Sequence, residues 1–184
     1  PDVIEKIKSD AVVVAIGGEP IIPAIPGIRS NHVVLAKDVL LAKSEVGDSV
    51  VIIGGGQVGL ELAEYLAENG KKVMVVEILD ELARGMPSIA KLPLLCRLEE
   101  LGVRIWTKAE TKEIKGKEVI VKYKGSEKRV GADTVIIAVG SGPNHQLFEK
   151  IKGKVSEVFM IGDSLKPRRI LEAIAEGFET AVKI

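Results

Sequence analysis

Several kinds of residue are scarce in this sequence, and each scarcity excludes a class of protein. Cys96 is the only cysteine, so the chain forms no internal disulfide and no zinc or iron–sulfur site from cysteines of its own. Aromatic residues make up 3% of the chain, which argues against base stacking. The 26 basic and 26 acidic residues balance, so we expect no basic surface for nucleic acid or an anionic membrane.

Long apolar runs are also missing. The runs at 11–16 and 135–139 have the length of buried strands and fall far short of the roughly twenty residues that a membrane-spanning helix needs. No signal peptide is visible. We therefore expect a cytoplasmic protein without membrane or nucleic-acid partners. Its 184 residues suffice for one substantial domain, or for one domain with pieces of another.

Glycine is concentrated within residues 50–77, VVIIGGGQVGLELAEYLAENGKKVMVVE. Gly54, Gly56 and Gly59 form the pattern Gly-x-Gly-x-x-Gly directly after the apolar run 50–53, which is typical of a buried parallel strand. Gly54 opens a tight turn, Gly56 lets the backbone approach a pyrophosphate without a Cβ in the way, and Gly59 lets a helix pack closely on the strand. The pattern indicates a dinucleotide-binding unit, and the alternative is a turn without a ligand.

The helix that follows the turn is predicted over 57–68 from apolar residues at helical spacing that include Val58, and Asn69 with Gly70 ends it. Gln57 and Val58 lie in its first turn. Free N–H groups and the positive end of the helix dipole face the bound anion there. We therefore include both residues among the predicted cofactor-binding positions.

Glu77 closes the apolar run 73–76, a little over twenty residues beyond the glycine turn. An acid at this position accepts hydrogen bonds from the adenosine ribose. A carboxylate about 4 Å from a 2′-phosphate would be repelled by roughly 4 kcal/mol at an effective dielectric near 20. Ile78 and Leu79 follow, and the nearest arginine is Arg84, so the sequence favours NAD over NADP. The alternative is a solvated acid at the end of a strand.

Most of the remaining chain alternates between predicted strands and helices. The patterns predict a strand and a helix capped by Asp38 within 31–44, a helix over 88–101, a strand over 103–106, an antiparallel meander over 111–130, strands over 134–139 and 158–161, and a closing helix that starts at Pro167. Cys96 is predicted on the apolar face of the 88–101 helix, as a buried small hydrophobe rather than a reactive thiol. The closing helix has an apolar face that includes Ile170, Ile174, Phe178 and Val182.

Together these landmarks resemble the pyridine-nucleotide/flavin oxidoreductase family with paired dinucleotide-binding domains. AVVVAIGGEP at 11–20 is similar to the family's first Ala-Thr-Gly strand, with Ile16 in place of the threonine. TVIIAVGSGPN at 134–144 is similar to the second such strand. Residues 158–181 are similar to the segment whose Gly-Asp pair contacts the flavin. The residues at 83–103 and 167–179 most resemble the C-terminal portion of 2,4-dienoyl-CoA reductases, 2-enoate reductases and related NADH:flavin oxidoreductases.

This resemblance implies a Rossmann-like FAD/NAD(P)-binding fold of the α/β class, with three layers (β/β/α), a parallel sheet and an antiparallel β-meander. It assigns residues 29–143 to an NAD(H)-binding domain, and residues 1–28 with 144–184 to remnants of a discontinuous FAD-binding domain. The FMN barrel, the four-iron cluster and the first FAD-binding unit of that group have no counterpart in this sequence.

The function that the resemblance implies is the NAD(H)-binding portion of a flavin-dependent oxidoreductase, which positions nicotinamide for hydride transfer to a flavin. FAD is expected in the complete protein and not in this chain alone. The expected partner is the missing N-terminal flavin-binding part or a companion chain, or else a second copy in a homo-oligomer. The alternative function is a nonenzymatic NAD-sensing or assembly domain.

The resemblance also suggests roles for residues outside the glycine turn. Glu61 matches the acid of the family pattern near the nicotinamide, with an ordinary helix acid as the alternative. Asp163 matches a flavin hydroxyl ligand, with a helix-capping or solvated acid as the alternative. Gly140 matches the strand-end turn beside the cofactor, with a plain turn as the alternative. Arg168 and Arg169 could reach a phosphate but are expected to be solvated. No residue is assigned a catalytic or metal-ligating role.

Overall fold

The computed structural model of the protein describes residues 2–184. Its helices are α1 (Asp2–Ile7), α2 (Ala36–Leu40), α3 (Gln57–Glu68), α4 (Ser88–Glu100), α5 (Gln146–Ile151) and α6 (Ile170–Ala181). Its strands are β1 (Ala11–Val14), β2 (Glu19–Pro20), β3 (Val33–Leu35), β4 (Ser49–Ile53), β5 (Lys72–Val76), β6 (Arg104–Trp106), β7 (Glu110–Lys115), β8 (Glu118–Tyr123), β9 (Ser126–Gly131), β10 (Thr134–Ile137), β11 (Ser141–Gly142) and β12 (Glu157–Met160).

These elements form two compact units. The central unit is continuous and runs from Ile22 to Gly140. The flanking unit combines the described residues up to Ile21 with Ser141–Ile184. The assignment of residues 29–143 to NAD(H) and of the remainder to a FAD-binding domain concerns cofactors, and it stays a prediction.

A five-stranded parallel sheet forms the middle of the central unit, in the order β3-β10-β4-β5-β6. Helices α2, α3 and α4 cover one face of this sheet, and the strands β7, β8 and β9 cover the other. Because both faces are covered, the inner strands are apolar at nearly every position. This arrangement confirms the predicted three-layer α/β fold of the Rossmann-like type.

Alternate residues of the inner strands belong to two separate cores, because side chains of a strand point to opposite faces in turn. The helix-side core contains the strand residues Val50, Ile52, Val73, Val75 and Ile136. The meander-side core contains the strand residues Val51, Ile53, Met74, Val76, Val135 and Ile137. The sheet is therefore held from both sides, which fixes where each strand ends.

The predicted antiparallel meander is confirmed as a three-stranded sheet in the order β7-β8-β9. Val119 and Val121 of β8 are fully buried against the parallel sheet. Gly116 and Gly125 form the two connections with φ of +56° and +78°. L-residues rarely adopt this left-handed region, so glycine is favoured at both turns.

Two predicted helix starts are wrong. The residue at the cap of α2 is Leu35, because β3 runs directly into the helix, and Asp38 lies within the first turn. The closing helix α6 begins at Ile170, because the residue at its cap, Arg169, has an extended backbone. The Glu172 carboxylate accepts the Arg169 backbone N–H at 3.1 Å and stabilises this start.

The predicted burial of Cys96 is also wrong, since this side chain is exposed. Leu94 and Leu98, one helical turn apart, are the residues of α4 that are buried against the helix-side core. Leu92, another apolar residue of α4, is 62% exposed. The α4 sequence carries apolar residues on two faces, and only one of them meets the sheet.

The flanking unit is built from two small sheets and its helices. Strands β1 and β12 pair in parallel, and β2 pairs with β11 in antiparallel fashion. The apolar face predicted for α6 is present but exposed to solvent, with Ile170 at 79% and Phe178 at 71% exposure. This unit therefore leaves much of its apolar surface uncovered in the described chain.

Asp133 ties the first residue of β4 to the meander at the amino-terminal edge of the parallel sheet. Its Oδ1 pairs with Lys117 Nζ at 2.8 Å, and its Oδ2 accepts the Ser49 hydroxyl at 2.7 Å and the Ser49 backbone N–H at 3.1 Å. The Lys117 hydrogen bond, followed by the two from Ser49, holds the pKa of the Asp133 carboxyl well below its ordinary value of 3.8.

Asp133→Asn should lower the free energy of unfolding at neutral pH and flatten its decline in acid. Because the pKa of the folded state lies below that of the unfolded state, the stabilisation is complete above pH 3.8 and is lost as the pH falls below that value. Urea unfolding of the variant and the wild type at neutral pH and at about pH 3 measures this difference.

The control variant is Asp48→Asn, since the Asp48 carboxylate is 92% exposed and pairs with Lys71 at the surface. A surface pair of this kind contributes little, so the control should behave like the wild type. If the difference in the free energy of unfolding between Asp133→Asn and the wild type were the same at both pH values, the proposed role of the Asp133 charge would be wrong.

Candidate dinucleotide-binding site

The candidate site lies at the carboxyl edge of the parallel sheet, where β4 ends. From β4 the chain continues to β5 and β6 on one side of the sheet, and it returns through the meander to β10 on the other side. Such a reversal of strand order opens a crevice at the carboxyl ends of the strands, where ligands of open α/β sheets bind.

Gly54 and Gly59 make the tight turn after β4 possible. Gly54 has a φ of +113°, and a Cβ on it would lie 2.5 Å from the Ala138 carbonyl oxygen. A Cβ on Gly59 would overlap the Gly54 carbonyl oxygen. Both glycines are therefore required for the turn and the start of α3 to pack against β4 and the end of β10.

Gly56 is different, because a Cβ on it would meet no atom within 4 Å. It is the residue at the cap of α3, with an extended backbone, and no side chain caps the helix. The first intrahelical bond runs from the Leu60 N–H to the Gly56 carbonyl at 3.0 Å, so the N–H groups of Gln57 and Val58 precede it. The first turn holds no acid, and the position that a Gly56 Cβ would occupy is open.

Glu77 is buried, with 7% of its surface exposed, and is therefore not a solvated acid. Its Oε2 accepts the Gly55 N–H at 2.5 Å, and its Oε1 accepts the Leu79 N–H at 2.7 Å. Each carboxylate oxygen has two lone pairs, so both can accept a further hydrogen bond. The carboxylate thus holds the glycine turn and retains acceptor capacity for hydroxyl groups.

Gly55 and Ala83 are contributors that the sequence analysis missed. The Gly55 carbonyl accepts the Ala83 N–H at 2.8 Å, so both polar groups of Gly55 are bonded to the segment after β5. A Cβ on Gly55 would lie 2.6 Å from Leu82 Cδ2, and Ala83 is fully buried with a φ of +44°. Gly55 stands between the two glycines of the pattern, and the resulting run of three glycines at 54–56 is the one sequence signal that marks this close approach.

Gln57 and Glu61 lie together on the exposed surface of α3. Gln57 Nε2 donates to Glu61 Oε1 at 2.9 Å, which is the contact that residues four apart make on a helix. Val58 is half exposed and does not join the buried face of the helix, which is formed by Gly59, Leu60, Leu62, Ala63 and Leu66. The polar pair therefore remains accessible near the glycine turn.

Gly140 lies at the same edge of the sheet as the glycine turn. Strand β10 continues its pairing with β4 through the Ala138 N–H, which donates to the Ile53 carbonyl at 2.8 Å. Gly140 follows with a φ of +102°, and a Cβ on it would meet nothing within 4 Å. The central unit therefore brings Gly140, Glu77 and the turn at 54–59 to one edge.

Asp163 belongs to the flanking unit, in the 3-10 turn Gly162–Ser164 after β12. Its Oδ1 accepts the Arg168 backbone N–H at 3.2 Å. The buried Ser164 hydroxyl donates to the Val14 carbonyl of β1 at 3.0 Å. Asp163 thus stands at a strand end in a turn whose last residue is fixed to the neighbouring strand.

The described residues contain neither a candidate metal cluster nor a candidate membrane span. No group of three or more His, Cys, Asp and Glu side chains that the structure describes could hold a metal ion. Within the same part of the chain, no helix is long and apolar enough to cross a membrane.

The chain is similar to several known oxidoreductases. The model of the pyridine nucleotide-disulphide oxidoreductase family matches residues 2–177. Over 98% of its own length, the chain is 32% identical to a metal reductase of Desulforamulus reducens. Over 100% of its length, it is 34% identical to an NADH oxidase of Thermoanaerobacter brockii. A solved 2-naphthoyl-CoA reductase in complex with 2-naphthoyl-CoA matches 100% of the chain at 33% identity, with a TM-score of 0.92.

These relatives are much longer than the chain, which covers 31%, 29% and 28% of them respectively. The family model nevertheless extends over almost the whole sequence, including both units. The match agrees with the glycine turn at a sheet edge and with the three-layer fold. We conclude that the chain belongs to the pyridine nucleotide-disulphide oxidoreductase family.

Proposed function

We propose that the chain is the NAD(H)-binding portion of a flavin-dependent oxidoreductase and that it positions the nicotinamide for hydride transfer to a flavin. The observation that carries this proposal is the arrangement at the end of β4. An uncapped helix start faces open space at Gly56, and the buried Glu77 carboxylate lies beside it.

Membership of the family implies NAD(H) and FAD as cofactors. The central unit fits a dinucleotide, because the space in front of Gly56 would admit a pyrophosphate that any side chain there would exclude. The N–H groups of Gln57 and Val58 would hold that anion at the positive end of the α3 dipole. Glu77 would accept the ribose hydroxyls.

The reaction itself is the chemistry of the cofactors, since bound nicotinamide supplies a hydride and the flavin accepts it. The residues of the chain orient the reactant. Glu77 and the N–H groups of α3 anchor one end of the dinucleotide, which leaves its other end to extend along the carboxyl edge of the sheet. Glu61 and Gly140 are the residues of the central unit that we place on the nicotinamide side.

The preference for NAD over NADP follows from the hydrogen bonds that hold both carboxylate oxygens of Glu77 in place. Its oxygens already accept the N–H groups of Gly55 and Leu79, so the carboxylate cannot turn away from a 2′-phosphate without losing both bonds. A buried charge that loses its hydrogen bonds is costly. Rotation of the Glu77 side chain therefore cannot relieve the repulsion between its carboxylate and a 2′-phosphate.

The flavin site would be shared with a part that lies outside this sequence. Asp163 would contribute a carboxylate, but the flanking unit has no glycine-rich turn comparable to that at 54–59 among its described residues. The exposed apolar face of α6 has the character of a surface that another part covers. We propose that this part is the flavin-binding portion, joined to the chain or supplied by a companion chain.

Gly56→Val should abolish NADH binding and leave the fold intact. The branched side chain would fill the space proposed for the pyrophosphate, and its Cβ would meet no atom within 4 Å. Titration calorimetry measures binding, and circular dichroism with thermal unfolding measures the fold. Gly131→Val in the meander is the control, since a Cβ there meets only the Lys117 carbonyl at 4.0 Å. Binding of NADH by Gly56→Val at wild-type strength would contradict the proposed site.

NADH should bind more tightly than NADPH, with a dissociation constant between roughly 1 µM and 1 mM. Trp106 is the single tryptophan, and its backbone carbonyl accepts the Glu77 N–H at 2.8 Å, so a titration that follows its fluorescence provides the measurement. Glu77→Gln should weaken NADH binding and reduce the preference for NADH over NADPH. Glu81→Gln, which removes an equal charge from a surface pair with Lys91, should do neither. Equal or tighter binding of NADPH by the wild type would refute the specificity argument.

The purified 184-residue chain should be colourless and should not oxidise NADH, even with added FAD. It should also self-associate through its exposed apolar faces, unless the flavin-binding part is present and restores turnover. Visible spectra, NADH consumption and light scattering test these points together. A yellow, active monomer would show that the chain holds a complete flavin site.

A further inference from the structure

A closed set of polar contacts links the turn Gly162–Ser164 to helix α6 within the flanking unit. Glu176, in the second turn of α6, accepts the Gly162 backbone N–H on its Oε2 at 2.7 Å. Its Oε1 pairs with the Arg168 guanidinium. The Arg168 backbone N–H in turn donates to Asp163 Oδ1 at 3.2 Å. The two ends of this chain of contacts, Gly162 and Asp163, are adjacent in the turn.

This arrangement differs from an ordinary ion pair on a helix surface. The Glu176 and Arg168 side chains are 20% and 31% exposed, so they are partly shielded from water. The Arg168 pairing and the Gly162 hydrogen bond both lower the pKa of the Glu176 carboxyl. Glu176 is therefore the charged centre of the set, and it is bonded to backbone and side chain at once.

The geometry of the turn depends on these contacts. Gly162 has a φ of +61°, which gives its N–H a direction that few other residues would adopt. Arg168 lies in the irregular segment before α6, where its Nε also donates to the nearby Lys166 carbonyl at 3.2 Å. Glu176 is thus the group of α6 that contacts both the start of the turn and the residue that bonds Asp163.

We infer that Glu176 is a positioning residue that orients the Asp163 carboxylate toward the flavin. It acts through the Gly162 N–H on one side and through Arg168 on the other. Asp163 Oδ1 is held by the Arg168 N–H, and its Oδ2 makes no hydrogen bond to the described residues and is available to a flavin hydroxyl. This inference rests on the proposed function, which assigns Asp163 to the flavin.

Glu176→Gln tests the inference, because glutamine keeps the shape of the side chain and removes its charge. In the protein expressed from its whole reading frame, the dissociation constant for FAD should rise roughly tenfold, as expected for the loss of a group that orients a ligand-binding residue. The visible circular dichroism of bound flavin should change. In the 184-residue chain, the Gly162 amide signal should shift in a nitrogen–proton spectrum.

Two further variants separate positioning from a general effect of charge. Glu179→Gln removes an exposed acid from the same helix and should leave FAD binding and the Gly162 signal unchanged. Arg168→Gln should weaken FAD binding, and its effect should not add to that of Glu176→Gln, since both variants break the same set of contacts.

The outcomes are distinguishable. Wild-type FAD affinity and an unchanged flavin spectrum in Glu176→Gln would overturn the positioning role, even if the variant unfolds more easily. An unchanged Gly162 signal would overturn the contact itself. If the wild-type protein expressed from its whole reading frame bound no FAD, this would refute the proposed function, and with it the role of Glu176 toward the flavin.

Discussion

The hydrogen bond from the Gly55 N–H to the Glu77 carboxylate is the interaction on which the candidate site depends. It joins the turn after β4 to the end of β5, at the edge where the sheet opens. Because the carboxylate is buried, loss of this bond would leave a charge short of a partner, at a cost of about 1.5 to 3 kcal/mol. One residue thus shapes the turn and supplies the proposed ribose contact, so substitutions at Glu77 should affect the turn as well as specificity.

The two cores of the central unit explain why that hydrogen bond forms. Strand residues 50 and 52 pack toward the helices and 51 and 53 toward the meander, so β4 cannot slip by one residue without exchanging its faces. The same constraint applies to β5. Strands that are fixed in this way end at defined positions, and Gly54 and Glu77 immediately follow those ends. The position of the site therefore follows from the packing of the sheet.

The sequence predicted the parts of the structure that local patterns determine. The bounds of α3, the meander and the acid after β5 follow from spacing alone. The sequence did not reveal the Gly55–Ala83 hydrogen bond, because the partners come from different connections and neither has a characteristic neighbour. Cys96 was misplaced because α4 has two apolar faces, and only the tertiary packing selects Leu94 and Leu98. The short helices α1 and α5 have too few residues for a periodic pattern.

The discontinuity of the flanking unit has a consequence for synthesis on the ribosome. The central unit is one uninterrupted stretch, so it can reach its native contacts as soon as Gly140 has emerged. Strand β1 is synthesised before that stretch and its partner β12 after it. The pairing of β1 with β12 therefore cannot form until the central unit and β12 have been translated. Closing so long a loop is slow relative to local pairing. During this interval the chain carries an open strand edge, and exposed edges of this kind favour pairing with other chains.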